Sequence, residues 1–177
     1  MTSTIWTVDV ARPARPVPGW ARRVAEIAAL APVPSSLWRL PLMFGVPMGM
    51  DQAFMDDMMD HPLWMRAGYL LALGLISDGA AFLTLGLVRS WGEVWPRWMP
   101  VMGGRRVHPL AAVVPALLGG VVVTVITFVM AVGWNSNMTN GYNGWEILQT
   151  AMYAPLLLWG PLLLLVTGHY AWRRGLR

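Results

Sequence analysis

The sequence predicts an all-α membrane protein, a four-helix transmembrane bundle with kinked first and fourth helices and both termini in the cytoplasm. Three observations carry that expectation. Of 177 residues, 56% are apolar and 12% charged, with a mean hydropathy of +0.49, too apolar for an ordinary soluble domain of this length. The apolar residues fall into four long stretches, at about 24–50, 67–88, 110–134 and 147–170. The arginines, which are the only basic side chains apart from histidine, collect in alternate connections between those stretches.

Residues 1–18 contain Pro13, Pro16 and Pro18 and lack apolar periodicity, so they are expected to form a disordered arginine- and proline-rich arm ahead of a single transmembrane domain over 19–177. No small-residue cleavage site follows the first apolar run, so the N-terminus is expected to be retained. The first span carries Pro32, Pro34, Pro41 and Pro47, each of which removes a helical donor and strains the turn before it, so this span is kinked. The second and third each hold more than the ~20 apolar residues needed to cross ~30 Å of hydrocarbon. The fourth contains Pro155 and Pro161 and is expected to bend.

Arginine placement sets the orientation. Arg12, Arg15, Arg22 and Arg23 precede the first span, Arg89, Arg97, Arg105 and Arg106 lie between the second and third, and Arg173, Arg174 and Arg177 follow the fourth. The other two connections hold Arg66 against Asp51, Asp56, Asp57, Asp60 and Glu146. The excess of positive charge therefore puts both ends on the cytoplasmic side of a bacterial cytoplasmic membrane. Trp91, Trp95, Trp98 and Trp172 suit the inner interface, and Trp64, Trp134 and Trp145 the outer one. The net charge of +4 orients the chain in lipid and gives no nucleic-acid face, because the arginines flank apolar runs. Absent cysteine excludes disulfides, thiolate metal sites and cysteine nucleophiles.

Several segments bear a family likeness. Ser36-Leu37-Trp38-Arg39-Leu40, Ser77-Asp78-Gly79, the run from Leu85 to Val94, Pro96-Arg97-Trp98, Gly103-Gly104-Arg105-Arg106-Val107 and Leu158-Trp159-Gly160-Pro161 resemble a group of small, uncharacterised integral membrane proteins common in actinobacteria. The resemblance covers roughly residues 30–174. It implies a four-helix membrane fold and brings no activity or catalytic residues with it. The methionine-rich acidic segment from Met48 to Met65 departs from that group's pattern.

Asp78 lies near the middle of the second span, where a lone carboxylate costs several kcal/mol and needs a partner or a chemical role. Arg39, at similar depth if the first span starts near Val24, is the candidate partner in a midplane ion pair. Such a pair serves either to fix helix register or to do chemistry, with Asp78 as general acid and Arg39, Tyr153 or Glu146 assisting. A helix restarting at Ser35 instead moves Arg39 toward the cytoplasmic interface. Gln149, Thr150, Tyr153, Thr124 and Thr127 form a prospective polar strip in the outer half of the bundle; Tyr153, Gln149, Thr124 and Glu146 are the candidate substrate-binding residues, and helix-joining hydrogen bonds are the plainer role for the hydroxyls.

Two metal readings concern the outer loop. Asp56-Asp57-Met58-Met59-Asp60 matches the DDxxD pattern that holds magnesium in class I terpene synthases, but Asn135, Thr139 and Asn143 lack the final carboxylate of the companion motif, and the loop faces away from cytoplasmic diphosphates. Met58 and Met59, with neighbouring methionines, bracket His61 and suit Cu(I), though methionine also packs well at interfaces. Neither cofactor is required by the pattern. His108 and His169 fall at inner helix ends as interfacial polar groups.

P-loop, HExxH, GxSxG and cytochrome motifs are absent, which removes the common soluble chemistries. The leading expectation is a non-enzymatic membrane component that binds lipid or an apolar small molecule, alone, as a homo-oligomer or with a membrane partner protein. The alternatives are a membrane-embedded, acid-catalysed isoprenoid cyclase or isomerase using Asp78, and copper binding by the outer loop.

Overall fold

The computed structural model describes residues 16–92, 107–134 and 144–175, and these are all helix and connecting turn, with no strand among them. Most of the N-terminal arm, Arg97, Arg105, Arg106, Trp95 and Trp98 of the second connection, Asn135, Thr139 and Asn143, and Arg177 lie outside the described residues.

The first apolar stretch forms two helices, α1 (Gly19–Leu30) and α2 (Val33–Met43). Ala31 (φ −57°, ψ −40°) and Pro32 (φ −79°, ψ −19°) stay right-handed between them. The rod is therefore broken in its hydrogen bonding without being turned back, because Pro32 and Pro34 supply no N–H to the carbonyls of Ala28 and Leu30. The helix begins earlier than the sequence suggests, directly after Pro18, and stops earlier, at Met43. Gly45 (φ +84°), Met48 (φ +46°) and Gly49 (φ +82°) are left-handed and end it, although Phe44, Val46, Met48 and Met50 continue the apolar run. A short helix, α3 (Gln52–Met59), leads into α4 (Leu63–Leu83), which tightens into a 3-10 turn over Thr84–Leu87. The long α5 (Pro109–Trp134) follows. The last stretch is again two helices, α6 (Gly144–Tyr153) and α7 (Leu156–Arg173), parted at Ala154-Pro155. Both kinks expected from the prolines are thus present.

Three of these segments, Leu63–Leu87, Pro109–Trp134 and Gly144–Arg173, are long and apolar enough to cross a membrane. Their outward surfaces agree: α5 exposes Val121, Val122, Val125, Ile126, Phe128, Val129 and Val132, a face that water would penalise and lipid would not. The α1–α2 rod lies beside these helices along their length, α1 against α7 and the end of α4, α2 against α4 and α6.

Packing divides into three levels. At one end Ala21, Ala25, Leu85, Leu87, Val88, Val113, Val166 and Tyr170 form a cluster that brings the start of α1 beside the end of α7. In the middle Ala28, Ala31 and Ala81 surround Trp159. At the other end Trp38, Leu42, Met43, Met55 and Leu70 meet Met152 and Tyr153. The seam of α1 is alanine, Ala21, Ala25 and Ala28, each wholly buried, and small side chains let helices approach closely where lipid provides no hydrophobic drive between them. The same device joins α5 to α7. A Cβ on Gly160 would collide with the hydroxyl and backbone of Thr124, and one on Gly120 would fall 2.7 Å from Leu164.

α5 packs mainly on α7, and α4 mainly on the α1–α2 rod. Among the described residues, contacts therefore link α4 to the α1–α2 rod, that rod to α6–α7, and α7 to α5.

Candidate functional site

The break between α6 and α7 positions a cavity. Pro155 has no N–H for the carbonyl of Ala151, so α6 ends at Tyr153 and the chain resumes helix one turn on. Against α5 this leaves a partly open pocket of about 230 Å³, lined by Thr127, Met130, Ala131 and Trp134 from α5 and by Thr150, Tyr153, Ala154, Leu156 and Leu157. Its lining is mostly apolar, and its polar atoms are largely spent. The Thr150 hydroxyl donates to the Glu146 carbonyl (2.8 Å) and accepts from the Trp134 indole (3.0 Å), while the Thr127 hydroxyl donates to the Val123 carbonyl (2.9 Å). Hydroxyls satisfied by their own helix leave a surface suited to hydrocarbon.

Tyr153 stands at the edge of this pocket, with the Trp134 ring 5.6 Å from its own and the Arg39 guanidinium 5.6 Å from its ring centre. Its hydroxyl makes no hydrogen bond among the described residues. Arg39 projects from α2, four residues before the helix ends at Met43. Its Nη1 is enclosed and has no hydrogen-bond partner.

Arg39 and Asp78 do not meet. No ion pair within 4.0 Å joins them, and Asp78 is served instead by Ser36, whose hydroxyl donates to its Oδ1 at 3.1 Å. Gly74, one turn before Asp78, is buried beside Ser36, where a Cβ would meet the hydroxyl oxygen at 3.6 Å, an ordinary contact distance. Arg39 is one turn farther along α2 and faces α6. The helix restarts at Val33, two residues before Ser35, whose hydroxyl donates back to the Pro32 carbonyl (2.8 Å), and Arg39 lies in the second turn of α2 against Tyr153. Asp78 is half-buried, absent from the pocket lining, and so placed to tie α4 to α2.

Of the four candidate substrate-binding residues Tyr153 alone lines the pocket, and of the prospective polar strip Thr127 and Thr150 line it as well. Thr124 donates to the Gly120 carbonyl (2.6 Å) and fills the space over Gly160, which is a helix-joining role. Gln149 is half-buried outside the pocket, and Glu146 lies seven residues before Tyr153, toward the start of α6. Asp56, Asp57, Asp60 and His61 are exposed, and Asp56 accepts from Gln52 (2.8 Å). Among the described residues no three of histidine, aspartate and glutamate come together as a metal site. Met58 packs inward with Met48, Met50, Met55, Met43 and Met152, whereas Met59 lies against Gly45 and receives a contact from Arg66 (2.8 Å). The thioethers are thus divided between a packed cluster and the surface beside Arg66. His169 packs between Trp20 (5.0 Å) and Trp172 (6.0 Å).

Sequence reasoning missed Ser36, Trp134, Met130, Ala131 and Leu157. The signals were a serine at the depth of Asp78, a glycine one turn from it, and a proline pair at 155 and 161 that marks where a helix must open.

Comparison with known proteins finds no matching family model, no similar curated sequence and no similar solved structure.

Proposed function

We propose that this chain is a multi-pass protein of a bacterial cytoplasmic membrane that binds an apolar small molecule or lipid chain in the pocket between α5 and the α6–α7 junction. The observation that carries the reading is that pocket: about 230 Å³, apolar, and set within two segments long enough to span a bilayer. It is smaller than the ~300–1,000 Å³ typical of sites for drug-sized ligands. It therefore accepts part of a chain or a compact hydrocarbon group, the rest of the ligand lying toward lipid. The α1–α2 rod is the fourth crossing in this reading. Support comes from its position along the full length of α4 and α6–α7, and from arginines gathered at the end where α1 starts and α7 finishes, which makes that end cytoplasmic. Asp78 serves as a tie between helices, and membrane lipids are the immediate partners.

The test uses parinaryl alcohol, an uncharged polyene chain that accepts energy from tryptophan, with Trp134 in the pocket wall as a near donor. Detergent-purified protein is expected to give saturable energy transfer, and Ala131→Phe, which fills the pocket, is expected to abolish it without lowering the unfolding midpoint. Equal saturable transfer in that variant would show that the chain binds elsewhere.

A further inference from the structure

We propose that Arg39 is the head-group site for an anionic amphiphile, a phosphate or carboxylate on an apolar chain, with the chain running along Tyr153 into the pocket; this rests on the pocket reading above. A guanidinium carries five N–H donors, and none of those of Arg39 is bonded to any described residue. Its Nη1 is enclosed by protein, so the group is not simply extended into the outer water. The group instead lies over the face of Tyr153, 5.6 Å from the ring centre. A cation–π contact satisfies no N–H, and a half-buried guanidinium with no counter-charge is expensive inside a membrane protein.

The nearby acids do not supply the missing charge. Asp78 is beyond 4.0 Å and engaged with Ser36, and Glu146 is not a partner of Arg39. A planar fork of donors fits two oxygens of a phosphate or carboxylate. Tyr153 connects this site with the pocket: one residue contacts the guanidinium and also lines the cavity, so a head group on Arg39 places the first part of its chain at the pocket edge. The unbonded Tyr153 hydroxyl adds a donor on the same path.

The experiment compares parinaric acid with parinaryl alcohol, identical chains with and without an anionic head, at alkaline pH where the acid is ionised. Wild-type protein should bind the acid about tenfold more tightly, the difference expected of one charge-assisted contact. Arg39→Gln should bring the two affinities together by weakening the acid alone, and Arg39→Lys should keep part of the preference. Removing an unpaired cation does not threaten the fold, and an unchanged unfolding midpoint checks this. Equal affinities in wild type, or a preference untouched by Arg39→Gln, would overturn the head-group assignment and leave the pocket reading standing. Neither probe binding saturably would overturn both. Displacement by phosphatidylglycerol supports a bilayer lipid as the source, and displacement by oleoyl phosphate without phosphatidylglycerol supports a free amphiphile. Displacement by inorganic phosphate at equal concentration would show a plain anion site and refute the amphiphile.

Discussion

Substitution at Asp78 separates a tie between helices from a paired or reactive acid. The carboxylate accepts one hydrogen bond, from Ser36 at 3.1 Å, which is at the long end for O–H···O, and both side chains are only half-buried. Side-chain hydrogen bonds between membrane helices average about 0.6 kcal/mol and reach about 1.7. Ser36→Ala should therefore destabilise the protein by about 0.5–1 kcal/mol. Asp78→Asn keeps an oxygen that can accept the same bond and removes an acid from surroundings that disfavour it, so its stability should equal or exceed the wild type's. The double substitution should cost no more than Ser36→Ala by itself plus about 0.5 kcal/mol. Reversible unfolding by sodium dodecyl sulfate in mixed micelles, followed by tryptophan fluorescence, measures all three. A loss above ~2 kcal/mol for Asp78→Asn with no effect of Ser36→Ala would refute the reasoning, because it would mean that the charge is held by a cation and not the oxygen by a hydroxyl.

Three further outcomes follow from packing and charge. Gly160→Val should destabilise by about 1–3 kcal/mol through overpacking against Thr124, whereas Gly168→Ala, where nothing lies within 4 Å, should be neutral or slightly stabilising in the same unfolding assay. Gly49→Ala combines a left-handed backbone (φ +82°) with a Cβ only 2.5 Å from that of Trp145, so it should cost at least ~1–2 kcal/mol and loosen the turn after α2, read as faster proteolysis near residue 49. Alkaline phosphatase, active only outside the cytoplasm, should be active when fused in the short connection at Asp60-His61 between α3 and α4 and inactive when fused after Arg174; the reverse pattern would overturn the proposed orientation.

The helical class and the places where rods break were legible because hydrocarbon demands long apolar runs and proline removes a specific donor, both local properties of the chain. The end of the first span was not legible. Phe44, Val46, Met48 and Met50 read as a continuation of the helix, and the left-handed backbone at Gly45, Met48 and Gly49 turns them into an apolar loop in which Met48 and Met50 pack with Met55 while Phe44 and Val46 stay exposed. That error carried into the site. With the span drawn to residue 50, Arg39 sat at the depth of Asp78; with the helix ended at Met43, Ser36 takes that depth and Arg39 moves one turn outward to Tyr153. Which residues meet across two helices depends on their relative rotation and height, and a shift of one turn exchanges one partner for another. Tyr153 was identifiable as a polar aromatic in an apolar run, but its neighbours Ala131, Met130 and Leu157 are chemically plain and gain meaning only from the opening beside them.

That opening has a physical origin in the same prolines. Pro155 leaves the carbonyl of Ala151 without its helical donor, and Pro161, six residues on, does the same to the carbonyl of Leu157, which lines the pocket. An unbroken helix from Gly144 to Arg173 would lie against α5 with the small seam of Gly120, Thr124 and Gly160 continued toward Trp134. The break ends that close approach beyond Thr124, and the space it leaves has a mostly apolar wall. The cost of interrupting a membrane helix is the cost of those unpaired carbonyls, and a ligand that excludes lipid from the gap while offering a hydroxyl to the edge would lower it. Binding should then stiffen the α6–α7 junction, so that ligand protects the amides around Ala154 from hydrogen exchange and leaves those in the middle of α4 unchanged. Protection spread evenly over both would mean that ligand stabilises the whole fold and that the break has no special part in binding.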